Sequence, residues 1–555
     1  MPQPFAETGQ IVDPLNREVL SGTVHVRDGR IERIERHATD AERVILPGFV
    51  DAHVHVESSM LTPSEFARAA VRHGTVATVS DPHEIANVLG MEGVEYMIED
   101  GQRVPFTFHF GAPSCVPATP FETAGATLDP DDVAALLDRP AVRYLSEVMN
   151  YPGVLSGDPD MLAKIDAARA RGLPRDGHAP GVRGTDARRY ADAGISTDHE
   201  CVTIDEARDK LDAGMHILIR EGSAAKNFDA LIPLMDEAPD RLMFCTDDAH
   251  PDALLRGHID ALVRRALARG YDRMDVLRAA CVHPVQHYAL DVGLLQEGDP
   301  ADFIVADSLD DLNILRTYVD GAVVVEDGAT RIERLESPVV NAFATRTKQP
   351  GDFACPAEGD RIRVIEAEEG QLVTRETVEP AHVVDGHAVS DPERDVLKLT
   401  VVNRYQDAAP AIGFIRGFGL KRGAIASSVA HDSHNIIAVG TSDEALCRAV
   451  NQIIEHRGGI GAVDESDALT LPLPIAGLIS DRAYDDVARR YIRLNAFAQQ
   501  RLGSPMDAPF MTLSFMALLV IPQLKLSDQG LFDGAAFEFV ELFVDTNGPS
   551  GVQPA

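Results

Sequence analysis

Lysine is scarce in this 555-residue chain: Lys164, Lys210, Lys226, Lys348, Lys398, Lys421 and Lys525 are all it contains. Basic charge is short overall, with Lys+Arg 51 against Asp+Glu 87 and a formal net charge of -36. Binding phosphates needs clustered basic side chains, so nucleic acid and an anionic membrane surface are excluded as expected partners. An acidic surface poor in lysine fits adaptation to high salt, because at molar salt the Debye length shrinks to about 3 Å and self-repulsion is screened. Paired cysteines are lacking. Cys115, Cys201, Cys245, Cys281, Cys355 and Cys447 stand singly. That excludes a zinc ribbon or dithiol redox motif and suits a reducing cytoplasm. A long apolar run is lacking too. The longest, Phe515 to Ile521, ends at Pro522 and falls far short of the roughly 20 residues that span a bilayer. No basic stretch followed by an apolar one opens the sequence, so a signal peptide is not expected and the cytoplasm is.

The length exceeds what one hydrophobic core serves, which predicts two or three domains. Residues 1–47 read as short β elements. Thr23–Arg27 and Arg30–Glu35 alternate about the turn signal Asp28-Gly29. From 48 to 290 short strands alternate with helical stretches, the sign of βα units around a parallel sheet. Eight candidate strands fall at Phe49–Val54, Thr75–Ser80, Thr107–Phe110, Val142–Glu147, Arg175–His178, Ile195–His199, His216–Arg220 and Leu242–Thr246. They predict a (β/α)8 TIM-like barrel, with polar residues at the C-terminal strand ends where such barrels build sites. The β pattern returns over 291–345, so a small β-sandwich domain is expected from both flanks. An additional C-terminal α+β domain is expected over 346–555, with strands at Leu397–Val402, Ala411–Phe414 and Asn435–Val439 and helices at Asp443–His456 and Asp481–Leu502.

The strongest motif is His53-x-His55, which follows Pro47-Gly48 at the head of the barrel pattern. Residues two apart on a strand share a face, so two imidazoles can converge on one cation. Ligand-type residues then recur at strand ends: Glu147, His178, His199 and Glu200, and Asp247 with Asp248. Mixed imidazole and carboxylate donors suit Zn, Mn or Fe.

The order of His-x-His on strand one, His on strands five and six and Asp on strand eight resembles the amidohydrolase superfamily of metal-dependent hydrolases. The strings Pro47 to Ser59, Ser80 to Val88, Glu147 to Gly153, Arg220 to Lys226, Cys245 to Asp248 and Ala430 to Ile437 are similar to the bacterial and archaeal adenine deaminases within it. This likeness covers nearly the whole chain. It implies hydrolytic deamination of adenine to hypoxanthine and ammonia, in purine salvage, by a metal-bridging hydroxide. It also implies a binuclear centre of two divalent ions, with Mn or Fe ahead of Zn, and a homo-oligomer of two or more copies. By the resemblance His53 and His55 hold one metal, His178 and His199 the second, Glu147 bridges in place of a carboxylated lysine, and Asp247 is both ligand and proton carrier. Asp248 is the competing strand-eight ligand and otherwise a substrate contact.

Deamination also needs a general acid at the ring nitrogen. Asp81, His83 and Glu84 are the candidates, although Asp81 as a helix cap and Glu84 in a first helical turn also fit. Arg220, Glu221 and Ser223 fit either the purine edge or a structural ion pair. His431, Asp432 and His434 fit a lid over the barrel mouth, an extra metal site, or a satisfied turn. His73, His109, His250 and His287 read as packing or surface residues. The competing activity is a cyclic amidase of dihydroorotase or hydantoinase type, which would need a lysine on strand four where Glu147 stands. A cytidine-deaminase-type zinc enzyme would need Pro-Cys-x-x-Cys. A non-catalytic scaffold would have lost ligand types that are all present here.

Overall fold

A computed structural model describes residues 3–223, 225–369 and 371–544, which form two compact units. The first comprises Met1–Val116, Thr127–Pro338 and Asp481–Ala488, and the second Pro117–Ala126, Val339–Ser480 and Arg489–Ala555.

The first unit contains the barrel. Its parallel strands are Phe49–Val54, Thr75–Ser80, Thr107–Ala112, Val142–Val148, Arg175–Gly177, Thr197–Asp198, His216–Arg220 and Leu242–Cys245, called strands one to eight below. One to five hydrogen-bond as one sheet and six to eight as another. The barrel closes where Asp247 N donates to His53 O (2.9 Å) and His55 N to Asp247 O (3.2 Å). At the other seam Ser196 N donates to Arg175 O (2.9 Å). Strands five and six are shorter than the sequence pattern predicts, for a visible reason. Beyond Gly177 and Asp198 the backbone bonds to side chains instead of to a neighbouring strand: Ala179 N to Asp198 Oδ2 (3.0 Å) and Glu200 N to Asp198 Oδ1 (2.9 Å).

The flanking segments make one eight-stranded sheet. Val44–Pro47 pairs in parallel with Phe5–Asp13 and antiparallel with Phe303–Ala306, so the two flanks join along this strand. The period-two alternation sorts its faces. Ile45 shares a core with Ile11, Ile31, Phe303 and Tyr318. Val44 and Leu46 pack instead with Ile217, Phe228 and Leu242 of the barrel. The predicted turn at Asp28-Gly29 has φ of 53° and 80°, the left-handed pair that a tight hairpin requires.

The second unit is built on another eight-stranded sheet, which includes Leu397–Val402, Ala411–Arg416, Ala424–Ser427 and Ile436–Gly440. Helix Asp443–Glu455 lays Leu446, Ala449, Val450 and Ile453, one helical stripe, against Ala424, Ala426, Ile436 and Ala438. Ser442 caps it by accepting from Ala445 N (3.2 Å). The predicted helix over 481–502 is Tyr484–Phe497 followed by one further turn to Leu502. No helix among the described residues is long and apolar enough to cross a membrane.

Candidate metal centre

His53 and His55 project from one face of strand one, and both are fully buried or nearly so. His55 Nδ1 donates to the carbonyl oxygen of Asp81 (3.1 Å), which turns Nε2 towards Asp247 Oδ1 (3.1 Å) and Glu147 Oε1 (3.4 Å). His53 Nε2 lies 3.5 Å from the same Asp247 oxygen. Glu147, at the end of strand four, is the junction. Its Oε1 faces His55 and, at 3.4 Å, His83 Nδ1. Its Oε2 faces His178 Nδ1 (2.6 Å) and His199 Nε2 (3.1 Å). One carboxylate therefore stands between imidazoles from strand one and imidazoles following strands five and six.

The sets His53–His55–Asp247, His53–Glu147–His199, His55–Asp81–His83–Glu147 and His178–His199–Glu200 each bring their donor atoms within 4.8 Å of one another. These residues fit a metal ion. Nδ1 of His53 has no hydrogen-bond partner among the described residues, and Nε2 of His53 and of His199 face only carboxylate oxygens. Buried nitrogens left so are costly unless a cation takes their lone pairs. The electrostatics agree. Burial by itself raises the pKa of Glu147 and Asp247, yet the charge of His178 holds Glu147 well below the usual carboxylate range, and Arg220 with His53 and His55 does the same to Asp247. Burial works against a charged His178, but Glu200 and Glu147 push it up to about 9. A site this negative favours positive charge, whether protons or a metal that displaces them.

Around this cluster lies an ion pair that strand spacing alone does not reveal. The Arg220 guanidinium, buried at the end of strand seven, contacts both Glu200 and Asp247, with a second bond to Glu200 Oε2 (3.2 Å). Asn227 holds the arrangement. Its Oδ1 accepts from Arg220 N (2.7 Å), and its Nδ2 donates to the carbonyls of His199 and Cys201 (3.0 Å each). Of the two readings of Arg220, its side chain is thus engaged in an ion pair. Glu200, next to His199, carries a sequence signal only in its type and its place at a strand end. Asn227 carries none.

The other candidates separate. Asp247 joins the cluster, whereas Asp248 accepts from Ser58 Oγ (2.5 Å). Ser223 N donates to Asp248 O (2.8 Å), and Ser223 Oγ accepts from His250 N (2.9 Å). Glu221 is half-buried and pairs with Arg265 (2.8 Å). Asp81 accepts from both the backbone N and the ring Nδ1 of His83 (3.1 Å each), so it organises the start of helix His83–Leu89. Glu84 is buried in that first turn, its Oε1 3.5 Å from His83 Nε2. His431, Asp432 and His434 belong to the second unit, where they form a buried turn. The His431 ring stacks on Phe515 (4.8 Å), and His434 N donates to Ala430 O (2.7 Å). Of the histidines expected to pack, burial pushes His109 and His287 each down to about 3.

A closed parallel barrel, a flanking sheet drawn from both sides and a buried His/Asp/Glu cluster at the strand ends define an amidohydrolase. The profile of the Amidohydrolase family matches residues 44–324, and that of the Adenine deaminase C-terminal domain matches 371–538. The chain is 68% identical to "Adenine deaminase" of Salinibacter ruber, over 98% of this chain and 100% of that one. It is 52% identical to "Adenine deaminase" of Methanosarcina mazei, over 97% and 99%. Among solved structures it aligns with N-acetyl-D-glucosamine-6-phosphate deacetylase from Mycobacterium smegmatis, at 19% identity and TM-score 0.45, over 58% of this chain and 100% of that one. The chain belongs to the adenine deaminase family of the amidohydrolases.

Proposed function

We propose that the chain hydrolyses adenine to hypoxanthine and ammonia, with Glu147 among the residues that would hold two divalent metal ions. The observation that carries this reading is the position of Glu147, with one oxygen towards His55 and the other towards His178 and His199. His53, His55 and Asp247 would hold one ion and His178 and His199 the second. Carboxylates among the imidazoles, Glu147 and Asp247, favour Mn or Fe and also permit Zn. Such ions, when bound, lower the pKa of a coordinated water towards neutrality and so supply the nucleophile for C6 of the purine.

The remaining work falls to side chains. Asp247 takes one proton from the attacking water on a carboxylate oxygen and delivers it to the departing amine, which leaves as ammonia. Arg220 fixes the Asp247 carboxylate and keeps it ionised until that transfer. Glu84, steered by His83 and Asp81, protonates the ring nitrogen as water adds and takes back the proton of the new C6 hydroxyl as the carbonyl forms and ammonia leaves. Ser223, Asp248 and Glu221 border the purine edge, with Asp248 held by Ser58. The same reading divides the chain into 1–47 with 291–345 as the small β domain, 48–290 as the barrel and 346–555 as the C-terminal domain. The six buried, unpaired thiols support a cytoplasmic setting, and the charge of -36 supports a high-salt one without nucleic-acid or membrane partners. We expect a homo-oligomer of two or more copies.

The test is an adenine-to-hypoxanthine assay on protein stripped with a chelator and reconstituted separately with Mn, Fe and Zn. Activity is expected with Mn or Fe. No hypoxanthine with any of the three would overturn the reading.

A further inference from the structure

Asp51 is a carboxylate with no accessible surface, two residues before His53 on the interior-facing side of strand one. Barrel interiors are ordinarily filled by Val, Ile and Leu. An ionisable group there is costly unless its oxygens are fully engaged, and those of Asp51 are. Oδ1 accepts from Thr246 N (3.0 Å) and His53 N (3.4 Å). Oδ2 accepts from Thr246 Oγ1 (2.5 Å) and lies 3.0 Å from His258 Nε2. His258 is itself 2% exposed, and its Nδ1 bonds to Thr75 Oγ1 on strand two (2.7 Å). Strands one, two and eight and the residue before helix Ile259–Ala268 thus meet at one carboxylate.

What Asp51 grips is the residue next to Asp247. Asp247 has φ of 56°, a left-handed conformation that costs a non-glycine residue about 1 kcal/mol or more. Such a conformation persists only where its surroundings over-determine it. Two backbone bonds to strand one hold Asp247 from one side. The doubly bonded Thr246 holds it from the other.

We propose that Asp51, steadied by His258, is a positioning residue that locks Thr246 so that the Asp247 carboxylate stays aimed at His53 and His55. The inference rests on the reading of Asp247 as a ligand and proton carrier. Asp51 itself touches neither metal nor substrate in this account. Thr246→Val removes the hydroxyl and keeps the volume, and Thr246→Ser restores the hydroxyl. Asp51→Asn keeps one acceptor and loses the other.

The experiment measures Mn affinity by competition with a chelator, together with kcat and KM for adenine. Thr246→Val and Asp51→Asn should each weaken Mn binding and lower kcat by about 10–100-fold, the range seen when groups behind a ligand are lost. KM should stay near the wild-type value. Thr246→Ser should recover most of both losses, and the double variant Asp51→Asn/Thr246→Val should be no worse than the poorer single one, because both cut the same link. Mn affinity and kcat within about twofold of wild type in Thr246→Val, where a tenfold loss or more is expected, would overturn the proposal. A serine variant no better than the valine one would do the same. Should Asp51→Asn fail to fold, the Thr246 pair decides alone. The Mn measurement needs no substrate, so a wild type that binds Mn but leaves adenine untouched counts against the proposed reaction and not against Asp51.

Discussion

The two halves of the buried His/Asp/Glu cluster are held in different ways. His53, His55 and Asp247 sit where strands one and eight close the barrel, and main-chain bonds between Asp247 and strand one tie them together directly, with the Asp51–Thr246 contact behind Asp247. His178 and His199 follow strands of only three and two residues. Their support is side chains. Tyr190 Oη accepts from His178 N (3.2 Å) and donates to Val148 O (2.7 Å). The buried Lys210 donates to Ala179 O (2.7 Å) and pairs with Asp198 (2.9 Å) and Glu206 (3.2 Å). Asn227 holds the carbonyl of His199. Where a β ladder runs out, ligand geometry passes to buried polar side chains. Each of these can be altered singly, whereas the ladder cannot.

The largest expected effect comes from the one residue that serves both halves. On the proposed reading Glu147→Gln should lower turnover by about a thousandfold or more, since it would loosen the ions that activate water. Elemental analysis of the purified variant should find both ions depleted. Loss of only one would mean that the halves are not joined through Glu147.

Next comes the side-chain support itself. Lys210→Met leaves Asp198 and Glu206 buried without their cation, which should destabilise the fold by about 3–5 kcal/mol in denaturant titration. A cost below about 1 kcal/mol, typical of an exposed pair, would show that Lys210 does not brace this half.

A second buried lysine sharpens the point. Lys525, in the second unit, has its amine bonded to Leu372 O (2.7 Å), and burial pushes its pKa down to about 7. Unfolded, it titrates near 10.4. Above that value the amine is neutral in both states and costs nothing. As pH falls from 10.4 towards 7 the unfolded chain binds the proton first, so the penalty grows, and it is complete below about 7. Lys525→Met should therefore gain about 2–4 kcal/mol in relative stability between pH 10 and pH 6. A difference that does not vary with pH would contradict this. The contrast with Lys210 shows that carboxylate partners, not burial, decide whether an interior lysine stabilises.

Tyr190→Phe is the mildest change. It leaves His178 N and Val148 O without their partner and should cost about 1 kcal/mol. Its effect on metal content should be confined to the His178 half.

Much of this was legible in the sequence. Period two put His53 and His55 on one face, and the βα alternation placed Glu147, His178, His199 and Asp247 at strand ends. The resemblance to adenine deaminases then assigned their roles. The Arg220–Glu200–Asp247 contact was not legible, because it joins residues 20 and 27 positions apart through barrel register. Strands five and six read too long because Asp198 replaces ladder bonds with side-chain bonds, which residue periodicity does not register. Residues 117–126 grouped with the second unit for a similar reason. This stretch has no periodicity, and its ties include Thr123 N to Asp528 Oδ1 (2.9 Å), Asn435 Nδ2 to Thr123 O (2.9 Å) and the Phe121 ring against Phe532 (4.9 Å).

The central claim is that Glu147 joins two metal positions into one catalytic site. It is tested most directly by titrating chelator-treated wild-type protein with Mn while following both bound metal and adenine turnover. The account predicts two equivalents per chain, with activity rising to its full value only as the second is filled. Full activity at one equivalent, or a stoichiometry that never exceeds one, would contradict it.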